Sequence, residues 1–245
     1  MVIDTPLVAA GSFYTRTGDT ILETSQHKSG LWYRKEIADL LSIREALNNY
    51  KNVSVVNRVV MDIGANVGGF SHLALSNGAS KVYSYEPEPH TYAMLAKNVG
   101  NHPRSNIFNR AITMLDQREV SFYVGYGNGA PSLASTAKRA GRRSIRVTNE
   151  HFANLVAEIQ PQTIKIDIEG GEYELMLHIP VSCDELTIEW HGDTPDRMTE
   201  FKKLYPMFME QGWKIVNEKK RESFVKDSLR RGKTPKWCID AHYRR

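Results

Sequence analysis

From Val59 onward, short apolar runs alternate with stretches whose apolar residues recur every three or four positions. VVMDI, VYSYE, NIFNRAI, EVSFYVG, TIKIDI and ELTIEW have the length and β-branched or aromatic content of strands. FSHLALSNG, HTYAMLAKNVGNH, HFANLVAEI, GGEYELMLHI and MTEFKKLYPMFMEQG carry helical spacing, two of them closed by Gly78 and Gly212. Strands that alternate with helices predict a mostly parallel, doubly wound α/β sheet with helices on both faces. The last two strand-like runs, WKIVNE and KWCIDAHY, have no helix between them and are expected to pair antiparallel, which gives a seven-stranded sheet with a reversed last strand. Upstream, Ile37, Leu40, Leu41, Ile43 and Leu47 predict an amphipathic helix over 32–50. Residues 1–57 then read as an N-terminal helical lead-in or cap, and 58–245 as the main domain of one compact unit.

Ligands of such sheets bind beyond the carboxyl ends of the strands, at the point where strand order reverses. The first strand of the main domain ends at Asp62, and Gly64, Gly68 and Gly69 follow it. Glycine lets the backbone turn tightly and approach a ligand that a Cβ would exclude. The spacing is Asp-x-Gly-x-x-x-Gly-Gly, not the GxGxxG of dinucleotide folds. A carboxylate at this place repels a pyrophosphate but suits the cationic sulfonium and amino group of S-adenosylmethionine. Glu86 ends the second strand, 24 residues after Asp62, where an acid can accept both ribose hydroxyls of an adenosine. Asn109 and Ala111, at the end of the third strand, are expected to border the adenine.

VMDIGANVGGFS, VYSYEPEPHTYAMLAKNV, the NRAI segment, PSLAS and above all IKIDIEGGEYELM resemble the FkbM-like family of methyltransferases over roughly 59–189. The resemblance implies the class I methyltransferase fold, a Rossmann-like sheet, and O-methylation of hydroxyls on sugars or secondary metabolites with S-adenosylmethionine. It carries cofactor contacts onto Asp62, Gly64, Asn66, Gly68 and Glu86, and places Asp167 and Glu169 at the active-site end of the fourth parallel strand. The basic C-terminal region departs from the family pattern and leaves the acceptor open.

The two-residue period of KIDIEGGE sets Lys165, Asp167 and Glu169 on one side of a strand. The next strand ends in Glu189-Trp190-His191, which brings a second acid and an imidazole to the same rim. Methyl transfer to a hydroxyl requires the acceptor to be positioned and its proton removed. Asp167, Glu169, Glu189 and His191 are therefore the catalytic candidates, as a base with its orienter. Oxygen and nitrogen ligands for a divalent ion, or a purely structural role, are the alternatives, and no resident metal is assigned. Lys165 reads as a strand lysine paired with an acid, Glu172 as a helix cap, and His72 as a packing residue.

Composition adds limits. The chain has 245 residues, 41% hydrophobic and 24% charged, enough for an α/β core without disulfides. Two cysteines, Cys183 and Cys238, outside any CxxC pair, fit a reducing, cytoplasmic setting, and no leader or membrane span is expected. The net charge of +4 hides two basic clusters. Five basic residues without an acid lie in 138–146, and eight basic residues against Glu222 and Asp227 lie in 219–236. Together they carry +5 and +6, leaving about −7 on the rest of the chain. Arg142, Arg143, Lys219, Arg230 and Arg231 are accordingly expected to hold an anionic or sugar-containing acceptor, with solvated basic loops as the bland reading. A nucleic acid methylated on a ribose hydroxyl is the alternative acceptor. A non-catalytic module that kept the cofactor fold is a third reading.

Overall fold

A computed structural model describes residues 8–9, 12–17, 20–35, 38–124, 143–192, 194–216 and 238–245, with backbone alone before residue 23 and at Val124, Arg143, Cys238 and Ile239. The N-terminal lead-in is not simply helical. β1 (Val8–Ala9), β2 (Ser12–Thr17), β3 (Thr20–Gln26) and β4 (Trp32–Arg34) form an antiparallel four-stranded sheet, followed by α1 (Asp39–Asn49). The helix expected over 32–50 is thus a strand and a shorter helix. The break is fixed by a buried pair: Arg34 Nε lies 2.8 Å from Asp39 Oδ2, and Arg34 Nη2 donates to Thr91 Oγ1 at 3.0 Å. The expected apolar face also differs, since Ile43 is fully buried while Leu41 stands exposed.

The main domain runs through β5 (Val59–Ile63), α2 (Gly69–Ser76), β6 (Lys81–Tyr85), α3 (Pro89–Val99) and β7 (Ser105–Phe108). β8 (Ala111–Thr113), β9 (Glu119–Val124) and β10 (Arg143–His151) come next, followed by α4 (Phe152–Ile159), β11 (Thr163–Ile166) and α5 (Glu172–Leu175). β12 (Glu185–His191), α6 (Pro195–Glu210), β13 (Lys214–Ile215) and β14 (Cys238–Arg244) complete it. The central sheet has seven strands in the order β13-β14-β12-β11-β5-β6-β7, all parallel except β14, which is antiparallel to both β12 and β13. This is the class I methyltransferase arrangement, and its order reverses between β5 and β11.

Packing explains the strand choice. Every residue of β11 is buried, as are four of the five in β5, so these strands read as apolar runs instead of alternating. On one side an aromatic cluster locks α6 to the sheet: Trp190 meets Phe201 edge-on at 5.5 Å and donates its Nε1–H to Tyr243 Oη at 2.9 Å. Thr194 caps α6 by accepting from Arg197 N, and Pro195 occupies its first turn.

Four expectations are corrected. NIFNRAI is two strands: the chain leaves the central sheet after Phe108, where Asn109 Nδ2 donates to the carbonyls of Glu86 and Pro87 at 2.9 and 3.0 Å. EVSFYVG is a strand, but of a separate three-stranded sheet, β8-β10-β9. β10 lies within and just after the stretch whose basic content suggested a loop. Its inward positions, Ile145, Val147 and Asn149, alternate with exposed Ser144, Arg146 and Thr148. GGEYELMLHI forms only one α-turn, continued by a 3₁₀ turn over Met176–His178. No helix among the described residues is long and apolar enough to cross a membrane.

Candidate active site

The glycine turn after β5 is built by close approach. Gly64 has φ +77°, and a Cβ on it would lie 1.8 Å from the Asp167 carbonyl oxygen, so this loop and the one after β11 touch through backbone. Gly68, at φ +91°, starts α2, and Asn66 adopts the same left-handed region at φ +51°. That conformation turns the Asn66 N–H onto Glu86 Oε2 at 2.9 Å, while Glu88 N donates to Glu86 Oε1 at 2.9 Å. Glu86 therefore sits under the turn, and burial pushes its pKa up to about 7 although these two amides oppose the shift.

Asp62 is fully buried. It accepts from Ser71 Oγ at 2.6 Å, and Ser71 also bonds Ser84 Oγ at 2.7 Å, so this acid ties β5 to α2 and β6. Burial raises its pKa against the opposing pull of Lys165. Asn109 has its amide engaged as described. Ala111 is buried among Val120, Phe122 and Val147 in the smaller sheet.

The lead-in braces this end of the sheet. Asn98, on α3, donates to Val67 O at 2.7 Å and to Trp32 O at 2.9 Å, and accepts from Trp32 N at 2.7 Å. A Cβ on Gly69 would fall 2.7 Å from that of Ala46, so α1 lies directly on α2.

Beside the glycine turn stands the acid-rich rim. Lys165 Nζ reaches Asp167 Oδ2 at 3.2 Å, Asp62 Oδ1 at 3.5 Å and Gly64 O at 2.6 Å. Burial alone would lower the pKa of Lys165, but the carboxylates of Asp167 and Asp62 more than reverse that and hold it charged. Asp167 and Glu189 share a hydrogen bond. Burial works against both charges. Lys165 nevertheless holds Asp167 below its ordinary range, whereas the Asp167 charge adds to burial and drives Glu189 upward. The two shifts, opposite in direction, favour a proton on the Glu189 side of the pair over the Asp167 side. Asp240, opposite Glu189 on β14, accepts from Asn49 Nδ2 at 2.6 Å and Tyr50 Oη at 2.8 Å.

His191 closes the rim. Its Nδ1 lies 2.8 Å from Glu172 Oε1 and its Nε2 lies 3.2 Å from Glu169 Oε2. Glu172 also accepts from Gly170 N at 2.9 Å, so one buried carboxylate fixes both the imidazole and the turn after β11. Within that turn Glu169 sits at φ +58°, a region a non-glycine residue occupies at a cost. Arg197 Nη2 donates to its carbonyl at 2.6 Å, and a Cβ on Gly170 would collide with the same guanidinium. Burial, with the charges of Asp167 and Glu172, pushes the Glu169 pKa up to about 7 despite His191. One donor atom each from Asp167, Glu169 and His191 fall within 4.8 Å of one another.

The four catalytic candidates are therefore together at the carboxyl ends of β11 and β12. The reading of Glu172 as a mere cap missed its hold on His191, a contact between residues 19 apart, and nothing in the sequence flagged Arg197. Of the basic candidates, Arg142, Lys219, Arg230 and Arg231 lie outside the described residues, and Arg143 is described by backbone only, at the start of β10. Arg146 is exposed and donates to Glu119 O at 3.0 Å. With Gly170, Gly171, Glu174, Asp196 and Arg197 it lines a cleft of ≈ 390 Å³ that runs behind the Glu169 turn.

Comparison with known proteins agrees with this fold. A sequence profile for the methyltransferase FkbM domain matches residues 62–214. The hexuronic acid methyltransferase AglP of Haloferax volcanii is 23% identical over 177 residues, covering 71% of this chain and 68% of AglP. The solved structure of PH0793 from Pyrococcus horikoshii, a transferase by assignment, superposes with a TM-score of 0.51 at 14% identity, covering 91% of this chain and 71% of that one.

Proposed function

Because the chain belongs to the FkbM methyltransferase family, we propose that it moves the methyl group of S-adenosylmethionine onto a hydroxyl of a sugar-containing, anionic acceptor. The observation that carries this reading is the contact of two loops. The Gly64 turn and the Asp167 turn meet through backbone, so a methyl donor over the first would face the carboxylates and imidazole of the second. The residues suit that donor. Glu86 offers acceptor oxygens for ribose hydroxyls, and the left-handed backbone at Gly64, Asn66 and Gly68 forms the turn beside it. S-adenosylmethionine, when bound, supplies an already activated methyl on a sulfonium.

The chain's own work is then positioning and proton removal. Asp167, kept ionised by Lys165, is the carboxylate placed to take the hydroxyl proton, with Glu189 donating to it from behind. Glu172 and Arg197 set the height of the His191 and Glu169 side chains that contact the acceptor. The acceptor class rests on AglP, whose substrate carries both hydroxyls and a carboxylate. Methyl-labelled cofactor offered with uronate-bearing glycans and with RNA tests the reading. Base-stable label on the glycan is expected. Base-labile label would mean a carboxylate oxygen as acceptor, label on RNA alone would replace the glycan, and no transfer to either would sink the proposal.

A further inference from the structure

Three side chains from separate positions present donor atoms to one point. Asp167 follows the end of β11, Glu169 lies in the left-handed turn beyond it, and His191 ends β12. Their carboxylate oxygens and imidazole nitrogen all lie within 4.8 Å of one another. Ligand atoms at about 2.1–2.4 Å from a shared ion stand up to about 4.8 Å apart across it, so the spacing needs almost no adjustment to close on one.

A second feature, independent of the spacing, is how the imidazole is held. His191 Nδ1 rests on Glu172 Oε1 at 2.8 Å, deep in the protein, which leaves Nε2 directed at Glu169, 3.2 Å away. A buried carboxylate on the far nitrogen is the support that metal-binding histidines use to fix their tautomer and ring orientation. Here the same carboxylate holds Gly170 N, so the turn bearing Glu169 and the ring of His191 are set by one group. Charge points the same way. Asp167, Glu169 and Glu172 surround one imidazole, while Lys165 is committed to Asp167 Oδ2 and the Arg197 guanidinium to the Glu169 carbonyl.

We propose that Asp167, Glu169 and His191 bind one divalent cation of the Mn²⁺ or Mg²⁺ type. Mixed carboxylate and imidazole donors suit Mn²⁺ best. Its use rests on the methyltransferase reading: the ion would lower the pKa of the acceptor hydroxyl, whose proton passes to the Asp167 carboxylate. The oxygen then bonds the methyl carbon as the carbon–sulfur bond breaks, leaving a neutral thioether.

Full-length protein stripped with chelator and titrated with MnCl₂, with free Mn²⁺ followed by its EPR signal, tests this. One ion per chain is expected, displaced by excess MgCl₂. His191→Ala and Asp167→Asn should weaken it at least about tenfold, and Glu172→Gln by about 10- to 100-fold through the loosened ring. Circular dichroism checks each fold, and Glu169→Gln serves if a core variant does not fold. No bound Mn²⁺, or binding that all these variants leave unchanged, overturns the site. Methyl transfer that persists in chelator without bound Mn²⁺ removes the ion and keeps the function. Bound Mn²⁺ with no transfer to any acceptor keeps the site and removes the function.

Discussion

The two ends of β12 treat their acids in opposite ways. At the amino end Glu185 accepts from Ser54 N at 2.8 Å, His242 Nε2 at 2.5 Å and Arg244 Nε at 2.6 Å. Burial alone would raise its pKa, but these hydrogen bonds bring it down to about 2. At the carboxyl end Glu189 and Glu169 meet burial and like charges, and both are pushed up. The residue type is the same, and Glu185 and Glu189 share one strand. What differs is whether the neighbours complete the carboxylate. A buried acid whose lone pairs are matched by donors holds the fold, while one set against other acids has the perturbed titration that marks a candidate functional site. In this methyltransferase the matched end joins β12, β14 and the segment before β5, and the unmatched end is the candidate site.

The sharpest break of that comparison is a neutral substitution at each end. Glu169→Gln should lower methyl transfer by about 100-fold or more, the scale of losing a positioned polar group at the reacting centre. Its stability should go the other way. A folded pKa of about 7 against an ordinary 4.5 means that the wild type is fully favoured below pH 4.5 and loses that advantage as pH rises through about 7. Melting curves of chelator-stripped protein at pH 8 should therefore place Glu169→Gln at or above the wild type. A variant that is both inactive and clearly less stable would mean that Glu169 is a structural acid like Glu185.

Glu185→Gln should do the reverse. Removing the charge from a buried, fully partnered pair costs about 3 kcal/mol, or about 6–12 °C in Tm for a chain of this size. Activity per folded molecule should stay unchanged. The pH signature has the opposite sign as well. A folded pKa of about 2 gives stability that is complete above pH 4.5 and lost as pH falls towards 2, so the acid limb of the Tm curve should be shallower in the variant. An acid limb identical to the wild type would show that Glu185 contributes no charge-dependent stability.

How far this contrast was readable from the sequence follows from distance along the chain. Asp62, the glycines and Glu86 lie within one strand–turn–helix–strand unit, so local period and spacing suffice to place them. Asp167 and Glu169 follow from a two-residue period, and Glu189 and His191 from another. The pairings that decide what each acid does join distant segments: Glu172 to His191, Lys165 to Asp62, and Glu185 to His242 and Arg244. No periodicity encodes them. The misread regions have a related cause. β10 alternates correctly, but arginine and serine fill its outward positions and mask the strand. β4 and α1 share one apolar pattern, and the buried Arg34–Asp39 pair joins the end of the strand to the start of the helix.

The smallest expected effect lies at Glu189, and it separates two ways in which an acid can sit against another acid. With Asp167 ionised beside Lys165 and Glu189 carrying the proton of the pair, Glu189 acts as a donor to Asp167. A glutamine has an N–H to give in the same place and almost the same volume. Glu189→Gln should therefore keep Tm within about 2 °C, less than about 1 kcal/mol, and methyl transfer within a few-fold of the wild type. Glu189→Ala, which removes the donor and leaves Asp167 with a cavity behind it, should lose activity while Gln retains it. If Glu189→Gln were as inactive as Glu169→Gln, the proton would belong elsewhere and Glu189 would be working as an ionised base. The rim would then hold two active carboxylates at one position, and Lys165 would have to neutralise both.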